Sequence, residues 1–482
     1  MNGTELSDHE IAGITCDSRR VEPGFLFAAI PGGQADGRDF IPDAVKRGAV
    51  AILAPPGTEA PADRLDIPVI ADDNPRRQYA LMAARFFKRQ PATVACVTGT
   101  NGKTSVVAFL RQIWANDRPA ASAGTLGVEI GGFASGAAPD LEHAINLTTP
   151  DPVDLHASLA ELAGHGIDHL AMEASSHGLQ QFRLDGVRVS AAAFTNLTRD
   201  HLDYHGGMDG YLAAKLRLFA DIVVDGGAAV VNADALYCDA FEQAARARGL
   251  SVFTVGAAGT DIVLRGLDAD GAGQVLDLEV LGSRRAVRLP LPGIFQAANA
   301  LCALGLAVAT GGDPVAATDA LERLNGVAGR LEHVGRHASG ADVYVDYAHT
   351  PDALRSALEA MRPHARGRLH VVFGCGGDRD PGKRPEMGAA AAAAADRVIV
   401  TDDNPRTEGP ARIRLEAMAG CPDATEIGER AEAIAAAIDG LGGGDILVIA
   451  GKGHETGQII GTETRPFDDA EVARRLLGEA RP

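Results

Sequence analysis

The chain has 482 residues, which is too long for one hydrophobic core and leads us to expect about three domains. Its formal net charge of −19 excludes a general nucleic-acid-binding protein, because binding to a phosphate backbone needs a basic surface. No apolar run reaches the ~20 residues that cross a bilayer, residues 1–11 lack a signal-peptide core, and the six cysteines form no C-x-x-C pair. We therefore expect a cytoplasmic monomer with reduced thiols that binds neither nucleic acid nor membrane.

The first part of the chain, residues 1–90, is predicted to form a small N-terminal α/β domain. Short apolar runs alternate there with turn-rich stretches, and residues 74–88 have the apolar spacing of a helix. The segment D-D-N-P-R at residues 72–76 is interpreted as the start of that helix, with Asn74 as its N-cap and Pro75 in its first turn. A charged stretch that ends in proline then marks a domain boundary.

The second part, residues 91–329, is predicted to form a central domain with a mostly parallel sheet. A strand at residues 93–97 leads through a glycine-rich turn into a helix at residues 105–115. The later predicted elements are strands at 169–172, 191–195 and 228–231, a β-rich stretch at 252–291 and an alanine-rich helix at 293–310.

The third part, residues 330–482, is predicted to form a C-terminal Rossmann-like domain. Strands alternate there with helical stretches, one of them the alanine run at residues 388–395, and this alternation indicates a parallel, doubly wound sheet. The four predicted strands are residues 343–346, 370–373, 398–401 and 446–450.

The strongest local signal is the sequence TGTNGKTS at residues 98–105, between a predicted strand and a predicted helix. Backbone N–H groups and the helix dipole can hold phosphate oxygens there, while Lys103 would neutralise the β- and γ-phosphates and the Thr104 hydroxyl would bind Mg²⁺. The general phosphate-loop pattern has a glycine where this chain has Val97, which counts against an ordinary GTPase or motor ATPase. The predicted loop residues are Gly99, Thr100, Asn101, Gly102, Lys103, Thr104 and Ser105.

A second signal comes from polar clusters at the ends of three strands of the third part, at residues 374–380, 402–406 and 451–455. The carboxyl ends of parallel strands share one edge, so we expect these clusters to converge. The guanidinium groups of Arg379 and Arg406 suit carboxylates and Glu455 suits an ammonium, which together fit a zwitterionic amino acid. This second copy of D-D-N-P-R is predicted to be functional and the copy at residues 72–76 is not.

The loop at residues 98–105 resembles the ATP loop of the Mur ligases and of their folylpolyglutamate synthetase relatives. Residues 196–206, NLTRDHLDYHG, resemble the N-L-x-x-D-H-x-D-x-H-G signature of the Mur ligases, and residues 347–352, YAHTPD, resemble their Y-A-H-x-P-D segment. These motifs span essentially the whole chain in the family's order. The resemblance implies an α/β protein of three domains, with a P-loop-type ATPase domain in the centre. It also implies an ATP-dependent amide ligase of peptidoglycan precursor synthesis that forms an acyl-phosphate and releases ADP and phosphate.

The resemblance also implies roles around the nucleotide. Taken alone, Lys215 suits an exposed helix lysine and Asn299 a helix-surface amide, whereas the family pattern makes Lys215 an N6-carboxylysine that binds metal. The implied Mg²⁺ ligands are Thr104, Glu173, His201 and Lys215. The implied nucleotide residues are Asn299, Arg330, Asp346 and His349, and the implied catalytic residues are Lys103, Lys215, Arg330 and His201.

Substrate positions come from the same resemblance. The uridine nucleotide would contact Cys16, Ser18, Gln34 and Ala35, and the muramoyl-dipeptide would contact Thr148, Thr149, Ser175, Gln181 and Arg183. The amino-acid pocket would comprise Arg379, Asp403, Asn404, Pro405, Arg406, Gly451 and Glu455. Residues 403–406 resemble those of diaminopimelate-adding members. The implied substrates are therefore UDP-N-acetylmuramoyl-L-alanyl-D-glutamate and meso-2,6-diaminopimelate.

Three alternatives stay open at this point. A lysine-adding sister ligase would differ at residues 403–406, because lysine has no distal carboxylate to bind. A folylpolyglutamate-type ligase would share the ATP loop but would leave the first domain and residues 403–406 unexplained. A non-enzymatic nucleotide switch would leave the polar clusters without a role.

Overall fold

The structure is a computed structural model that describes residues 11–478 except 34, 63, 134–138, 140 and 142–147. The chain folds into two compact units, residues 1–254 with 305–312 and residues 255–304 with 313–482. The predicted α/β class is confirmed by the parallel sheets of both units, whereas the division into domains at residues 90 and 329 stays a prediction. None of the described helices is long and apolar enough to cross a membrane.

The N-terminal part of the first unit is a four-stranded parallel sheet with a helix on each face. Leu26 and Leu53 point to the face that holds Tyr79 of the second helix, while Phe27 and Ile52 point to the face that holds Ile41 of the first. The strands, in sheet order, are β1 (Gly13–Thr15), β2 (Phe25–Ala28), β3 (Ala51–Ala54) and β4 (Val69–Ala71), and the helices are α1 (Ile41–Lys46) and α2 (Pro75–Phe87).

The start of α2 confirms the prediction for the first D-D-N-P-R copy. The Asn74 side chain accepts a hydrogen bond from the Arg77 backbone N–H at 3.1 Å, and Pro75 is the first helical residue. Proline is favoured there because its missing N–H would have no partner inside the helix.

The rest of the first unit is a mainly parallel sheet in the order β10-β9-β5-β8-β6-β7, in which only β7 is antiparallel to its neighbour. Its strands are β5 (Thr93–Thr98), β6 (Ala120–Gly124), β7 (Gly127–Gly131), β8 (His169–Glu173), β9 (Val189–Phe194) and β10 (Val223–Asn232). Its helices are α3 (Lys103–Trp114), α4 (Pro152–Gly164), α5 (Ser176–Gln180), α6 (Leu202–His205), α7 (Met208–Arg217) and α8 (Cys238–Ala247). Because β5 is central, the loop at its carboxyl end is flanked by the ends of β8 and β9.

Two of the three boundaries between the units fall inside elements, namely β11 (Ser251–Gly256) and α9 (Ile294–Ala309), and the third comes after α9. After β11 the second unit continues with antiparallel strands and then with a short helix. These elements are β12 (Ile262–Asp270), β13 (Gly273–Val280), β14 (Ser283–Leu289) and α10 (Pro314–Ala320).

The C-terminal part of the second unit is a doubly wound sheet in the order β15-β16-β20-β17-β18-β19, parallel except for β15. Three helices pack on one face and two on the other, so both faces of the sheet are covered. The strands are β15 (Glu332–Arg336), β16 (Asp342–Asp346), β17 (Leu369–Phe373), β18 (Arg397–Val400), β19 (Thr425–Glu426) and β20 (Ile446–Ala450), with a hairpin of β21 (Gly457–Ile460) and β22 (Glu463–Pro466) after them. The helices are α11 (Pro351–Met361), α12 (Lys383–Ala394), α13 (Pro410–Met418), α14 (Arg430–Asp439) and α15 (Asp469–Leu477).

Candidate active site

The glycine-rich loop joins the end of β5 to the start of α3. Gly102 has a left-handed φ of +87°, and a Cβ on Gly99 would lie 1.9 Å from the Thr195 hydroxyl, so neither position accepts a larger residue without a shift. Asn196 holds the loop from the next strand end, because its amide accepts the Asn101 N–H at 3.0 Å and donates to the Asn101 carbonyl at 3.2 Å. The loop therefore has a fixed backbone at a helix N-terminus, which is the geometry that binds phosphate.

Two lysines meet at one carbonyl of this loop. The Lys103 ammonium donates to the carbonyls of Gly99 and Thr100 at 3.0 and 2.9 Å, and Lys215 of α7 donates to the Gly99 carbonyl at 2.7 Å. Lys215 is only 1% exposed, so the interpretation as an exposed helix lysine is wrong. Burial, together with the nearby charge of Lys103, holds the pKa of Lys215 well below its usual range. An amine in that state can react with carbon dioxide.

The Glu173 carboxylate lies beside the loop, at the end of β8. It accepts the Thr104 hydroxyl at 2.9 Å and the backbone N–H and hydroxyl of Thr125 at 2.9 and 3.3 Å. A carboxylate and a hydroxyl next to a phosphate loop fit a hard cation such as Mg²⁺, which keeps several waters. Among the described residues no three His, Cys, Asp or Glu side chains form a metal-binding group.

His201 comes after the end of β9 and has a left-handed φ of +52°. Its Nε2 lies 3.4 Å from an Asp200 carboxylate oxygen, and its ring centroid lies 4.8 Å from that of His177. His177 also packs on Tyr204, at 4.0 Å between centroids. His201 therefore belongs to an aromatic cluster at the edge of the sheet from which the phosphate loop extends.

The residues predicted to hold the muramoyl-dipeptide form one hydrogen-bonded group. Thr149 accepts from the Ser175 backbone N–H at 3.1 Å and from its hydroxyl at 3.0 Å, and the Thr148 hydroxyl bonds that of Thr125 at 3.0 Å. Arg183 donates to the Thr149 carbonyl at 2.7 Å and forks onto the Gln181 amide oxygen at 3.1 and 2.7 Å. This group shares Thr125 with Glu173, so it adjoins that carboxylate.

The residues predicted to contact the uridine nucleotide lie after two neighbouring strands of the first sheet. Cys16 and Ser18 come after β1, and Ala35 comes after β2, so both segments start from the same sheet edge. Gln34 lies outside the described residues. The Cys16 thiol bonds the Asp151 carboxylate at 3.5 Å, and Asp151 caps α4, which brings the segment to the dipeptide residues at 148–149.

The second unit contains the other residues predicted to bind nucleotide. Asn299 is buried, which excludes a helix-surface amide, and its amide donates to Gln296 at 3.4 Å. Gln296 in turn donates to the Arg330 carbonyl at 3.0 Å. The Arg330 guanidinium lies over the Tyr347 ring, 4.6 Å from its centroid, and the His349 ring packs on the same tyrosine at 4.6 Å.

Asp346 ends β16 and is buried among these residues. Its carboxylate accepts the backbone N–H groups of Leu331 and Ala348 at 2.7 and 2.8 Å. Burial raises the pKa of this carboxyl, although the charge of Arg330 and both hydrogen bonds act in the other direction. Asp346 therefore fixes the backbone immediately after Arg330 and immediately before His349.

The clusters after β17, β18 and β20 lie together, because these strands are adjacent in the sheet order β20-β17-β18. Asn404 is the centre of this polar pocket. Its amide oxygen accepts Lys452 Nζ at 3.2 Å and the Ile459 N–H at 2.9 Å, and its amide nitrogen donates to Glu455 at 2.8 Å.

Asp403 is 9% exposed, and its Oδ2 is buried with no hydrogen-bond partner among the described residues. The left-handed Gly451 allows that oxygen to approach, since a Cβ there would lie 2.8 Å from it.

The two arginines of the pocket both lie next to Gly376. A Cβ on this glycine would lie 2.9 Å from Arg406 Nη1 and 3.8 Å from Arg379 Cγ. Arg406 Nη1 donates to the Gly377 carbonyl at 2.8 Å, and Arg379 is exposed, with a 3.2 Å bond to the Asp378 carbonyl. Pro405 continues this backbone, with its carbonyl accepting the Glu408 N–H at 3.1 Å.

Three further residues belong to these sites and were not among the predicted ones. Lys452 is fully buried within the cluster at residues 451–455, where a lysine between two glycines after a buried strand was an available signal. For Gln296 the available signal was an amide in an otherwise apolar helix, three residues before Asn299. Thr125, which bonds Glu173, gave no sequence signal, since its role depends on the pairing of β6 with β8.

A phosphate loop beside a buried carboxylate, in a parallel sheet, defines a nucleotide-binding α/β enzyme. Three family models match the chain and extend this assignment. They are the catalytic domain of the Mur ligase family at residues 10–89, the Mur ligase middle domain at residues 97–307, and the Mur ligase glutamate ligase domain at residues 329–453.

Individual relatives agree with these models. The chain is 54% identical over 473 residues to the UDP-N-acetylmuramoyl-L-alanyl-D-glutamate–2,6-diaminopimelate ligase of Bradyrhizobium diazoefficiens, covering 97% of this chain and 95% of that protein. It is 52% identical over 481 residues to the ligase of the same name from Caulobacter vibrioides, covering 99% and 98%. A solved structure of a ligase of this name is 34% identical, with a TM-score of 0.72 over 97% of this chain and 95% of that one.

A more distant structure, the folylpolyglutamate synthase of Mycobacterium tuberculosis complexed with ADP and AMPPCP, is 20% identical. Its TM-score is 0.65 over 84% of this chain and 96% of that one, which shows a shared fold. The chain belongs to the Mur ligase family and is an ATP-dependent ligase.

Proposed function

We propose that this protein joins meso-2,6-diaminopimelate to the D-glutamate of UDP-N-acetylmuramoyl-L-alanyl-D-glutamate, with conversion of ATP to ADP and phosphate, in peptidoglycan precursor synthesis. Identity above 50% with ligases of that name, over nearly the full length of both chains, supports the reaction. The observation that carries the amino-acid specificity is that Arg379 and Arg406 both lie next to Gly376. Two guanidinium groups suit a substrate that has a second carboxylate.

The proposed first step is attack of the glutamate carboxylate on the γ-phosphate of ATP, which forms an acyl-phosphate and releases ADP. The loop N–H groups and Lys103, whose ammonium lies at the loop backbone, would then hold the phosphate oxygens and neutralise their charge. Bound Mg²⁺ would supply further charge neutralisation, held by Thr104 and Glu173. Arg183, which is partly buried against Thr149, would orient the carboxylate.

In the proposed second step the amine of the amino acid attacks the acyl carbon, phosphate leaves, and the nitrogen loses its proton. Arg379 and Arg406 would bind carboxylates of the incoming substrate. Asp403 Oδ2 is buried without a partner among the described residues. It would accept a hydrogen bond from the ammonium group of the substrate, as would the Glu455 carboxylate. No covalent enzyme nucleophile is required for either step.

The proposal is tested by incubating the protein with ATP, the UDP-linked dipeptide, and either diaminopimelate or lysine, and measuring phosphate release. We expect release with diaminopimelate and little with lysine. Release with lysine alone would establish the lysine-adding alternative, and no release with either amine would favour a nucleotide switch.

We also propose that Lys215 is carbamylated in the active enzyme. The support is its burial, with 1% exposed, and its bond to the Gly99 carbonyl of the phosphate loop. Incubation with ¹³C-bicarbonate should give a carbamate carbon signal in the NMR spectrum, and a Lys215→Arg variant should lack it. Identical spectra from the two proteins would exclude the modification.

A further inference from the structure

We propose that Arg384 is a positioning residue that fixes the separation of Arg379 and Arg406, and thereby sets the preference for an amino acid with two carboxylates. The inference rests on the proposed function, because it assigns the specificity of the same pocket. Arg384 itself is 0% exposed, so it acts through other residues and does not contact substrate.

The contacts of Arg384 reach both loops of the pocket. From the first turn of α12, its guanidinium donates to Glu416 at 2.6 Å, to Glu408 at 2.8 Å and to the Gly376 carbonyl at 3.3 Å. Gly376 lies next to both pocket arginines, and Glu408 comes two residues after Arg406. One buried cation therefore holds the backbone of the first loop and a carboxylate of the second.

A second set of bonds joins the same two loops directly. Glu408 also accepts the Asp378 N–H at 2.5 Å, and the Asp378 carboxylate accepts the hydroxyl and the N–H of Thr407 at 2.7 and 3.2 Å. The Gly377 N–H donates to the Asn404 carbonyl at 2.9 Å. The loops at residues 374–380 and 402–408 are thus cross-linked on both sides of Arg406 and immediately before Arg379.

The backbone in these loops has two strained positions, which need such support. Asp378 has a φ of +53° and Arg406 a φ of +50°, in the left-handed region that disfavours residues other than glycine. Arg406 occupies one of these positions, and Asp378 is the neighbour of Arg379. Such conformations persist where surrounding contacts over-determine them. For Asp378 the contacts come from Glu408 and Thr407, and for Arg406 they come from the backbone of Ile459 and Gly461.

The consequence is a fixed spacing between the loop backbones that carry the two carboxylate-binding groups. A substrate with two carboxylates gains from this spacing, because neither loop has to be ordered when it binds. A substrate with one carboxylate, such as lysine, engages only one of the groups and gains less. Loosening the cross-link should therefore weaken binding of the diacid more than binding of the monoacid.

The test uses Arg384→Lys, which keeps the charge but loses the forked geometry that reaches three partners. The matched control is Arg412→Lys, because Arg412 pairs with the same Glu416 at 2.9 Å from an exposed position, with 75% of its side chain accessible. For Arg384→Lys we expect the KM for diaminopimelate to rise about tenfold or more, with the KM values for ATP and the UDP-linked dipeptide nearly unchanged. The preference for diaminopimelate over lysine in competition should fall by a similar factor, and Arg412→Lys should behave as the wild type.

Thr407→Val provides a second variant should Arg384→Lys fail to fold. It removes the 2.7 Å bond to Asp378 from an exposed position, and a change in the same direction of about threefold is expected. A wild type that releases no phosphate with diaminopimelate overturns both the proposed function and this inference. A wild type that does so, with unchanged KM for diaminopimelate in both variants, overturns the inference alone. An equal rise in all three KM values, together with a lower Tm, would mean that Arg384 has only a structural role. That result would also overturn the inference.

Discussion

The same five residues, D-D-N-P-R, occur at residues 72–76 and 402–406, and the two copies have different structures. In the first copy the Asn74 side chain caps α2 and Pro75 opens the helix. In the second copy the Asn404 side chain lies inside a polar pocket, and Arg406 has a left-handed backbone. Identical local sequence has therefore produced a helix start in one place and a proposed binding loop in the other.

The difference comes from the residues that come after each copy and from the elements that lie next to it. Residues 77–87 continue as a helix, whereas in the second copy Thr407, Glu408 and Gly409 intervene before α13 begins. The backbone of Arg406 instead pairs with the hairpin, through a 3.0 Å bond to the Ile459 carbonyl and a 2.7 Å bond from the Gly461 N–H. Tertiary contacts, and not the pentapeptide, decide its conformation.

The largest expected effect is on activity, and it distinguishes Asn404 of the second copy from Asn74 of the first. Asn404→Ala removes three hydrogen bonds and leaves the buried Lys452 with one partner fewer, so kcat/KM for diaminopimelate should fall at least about 100-fold, or ~2.7 kcal/mol. Phosphate release at varied diaminopimelate measures this. The control Asn74→Ala should leave kcat/KM unchanged, and equal values for the two variants would show that the copies do not differ in function.

The second expected effect is on the pH dependence of the free energy of unfolding. It comes from the region around α2, the helix that the first copy starts. His156 of α4 packs near α2, is 3% exposed, and its pKa is lowered from 6.5 to about 4, mainly by burial. Between those values the unfolded chain binds the proton and the folded chain does not. The free energy of unfolding should therefore fall by about 1.4 kcal/mol for each pH unit as the pH decreases from 6.5 towards 4.

Urea unfolding at pH 7, 6 and 5 measures this slope in the wild type and in His156→Gln. Other groups titrate in both proteins, so the difference between the two curves isolates His156. The variant should lose less stability than the wild type on acidification. Parallel curves would mean that His156 is protonated at its ordinary pKa in the folded state.

The sequence was most informative where a site depends on strand order and local motif. The loop at residues 98–105 and the convergence of three clusters both result from buried strands that run parallel, which apolar runs indicate. The cap at Asn74 also results from local rules, because its partner is three residues away.

Contacts between distant residues could not be predicted in this way. Lys215 bonds a carbonyl 116 positions away, and Arg384 reaches Gly376 and Glu408 from a helix whose start gives no sign of that role. The left-handed backbone of Arg406 could not be predicted either, since the same pentapeptide at residues 72–76 forms a helix start. These features depend on the packing of helices against a finished sheet, which the pattern of one segment does not contain.

A smaller effect is expected from the two arginines of the copies. Arg406→Lys keeps a charge but loses the 2.8 Å bond to the Gly377 carbonyl and the planar fork for a carboxylate, so the KM for diaminopimelate should rise about tenfold, or ~1.4 kcal/mol. Arg76 donates to the Pro31 carbonyl at 2.6 Å, and Arg76→Lys should leave that KM within twofold. An equal rise in the KM for diaminopimelate with Arg76→Lys would show that the two arginines do not differ in function.

The smallest expected effect is on stability alone. Asn74→Ala removes the side-chain acceptor of the Arg77 N–H and should lower the free energy of unfolding by about 1 kcal/mol, while Asn74→Asp, which keeps an acceptor, should lose much less. Urea unfolding at neutral pH measures both. Since Asp72 also accepts the Asn74 N–H at 2.7 Å, the turn before the helix is held independently of the cap, and the loss should stay within this range. A loss several times larger, or one accompanied by a higher KM for diaminopimelate, would mean that the first copy supports more than the start of α2.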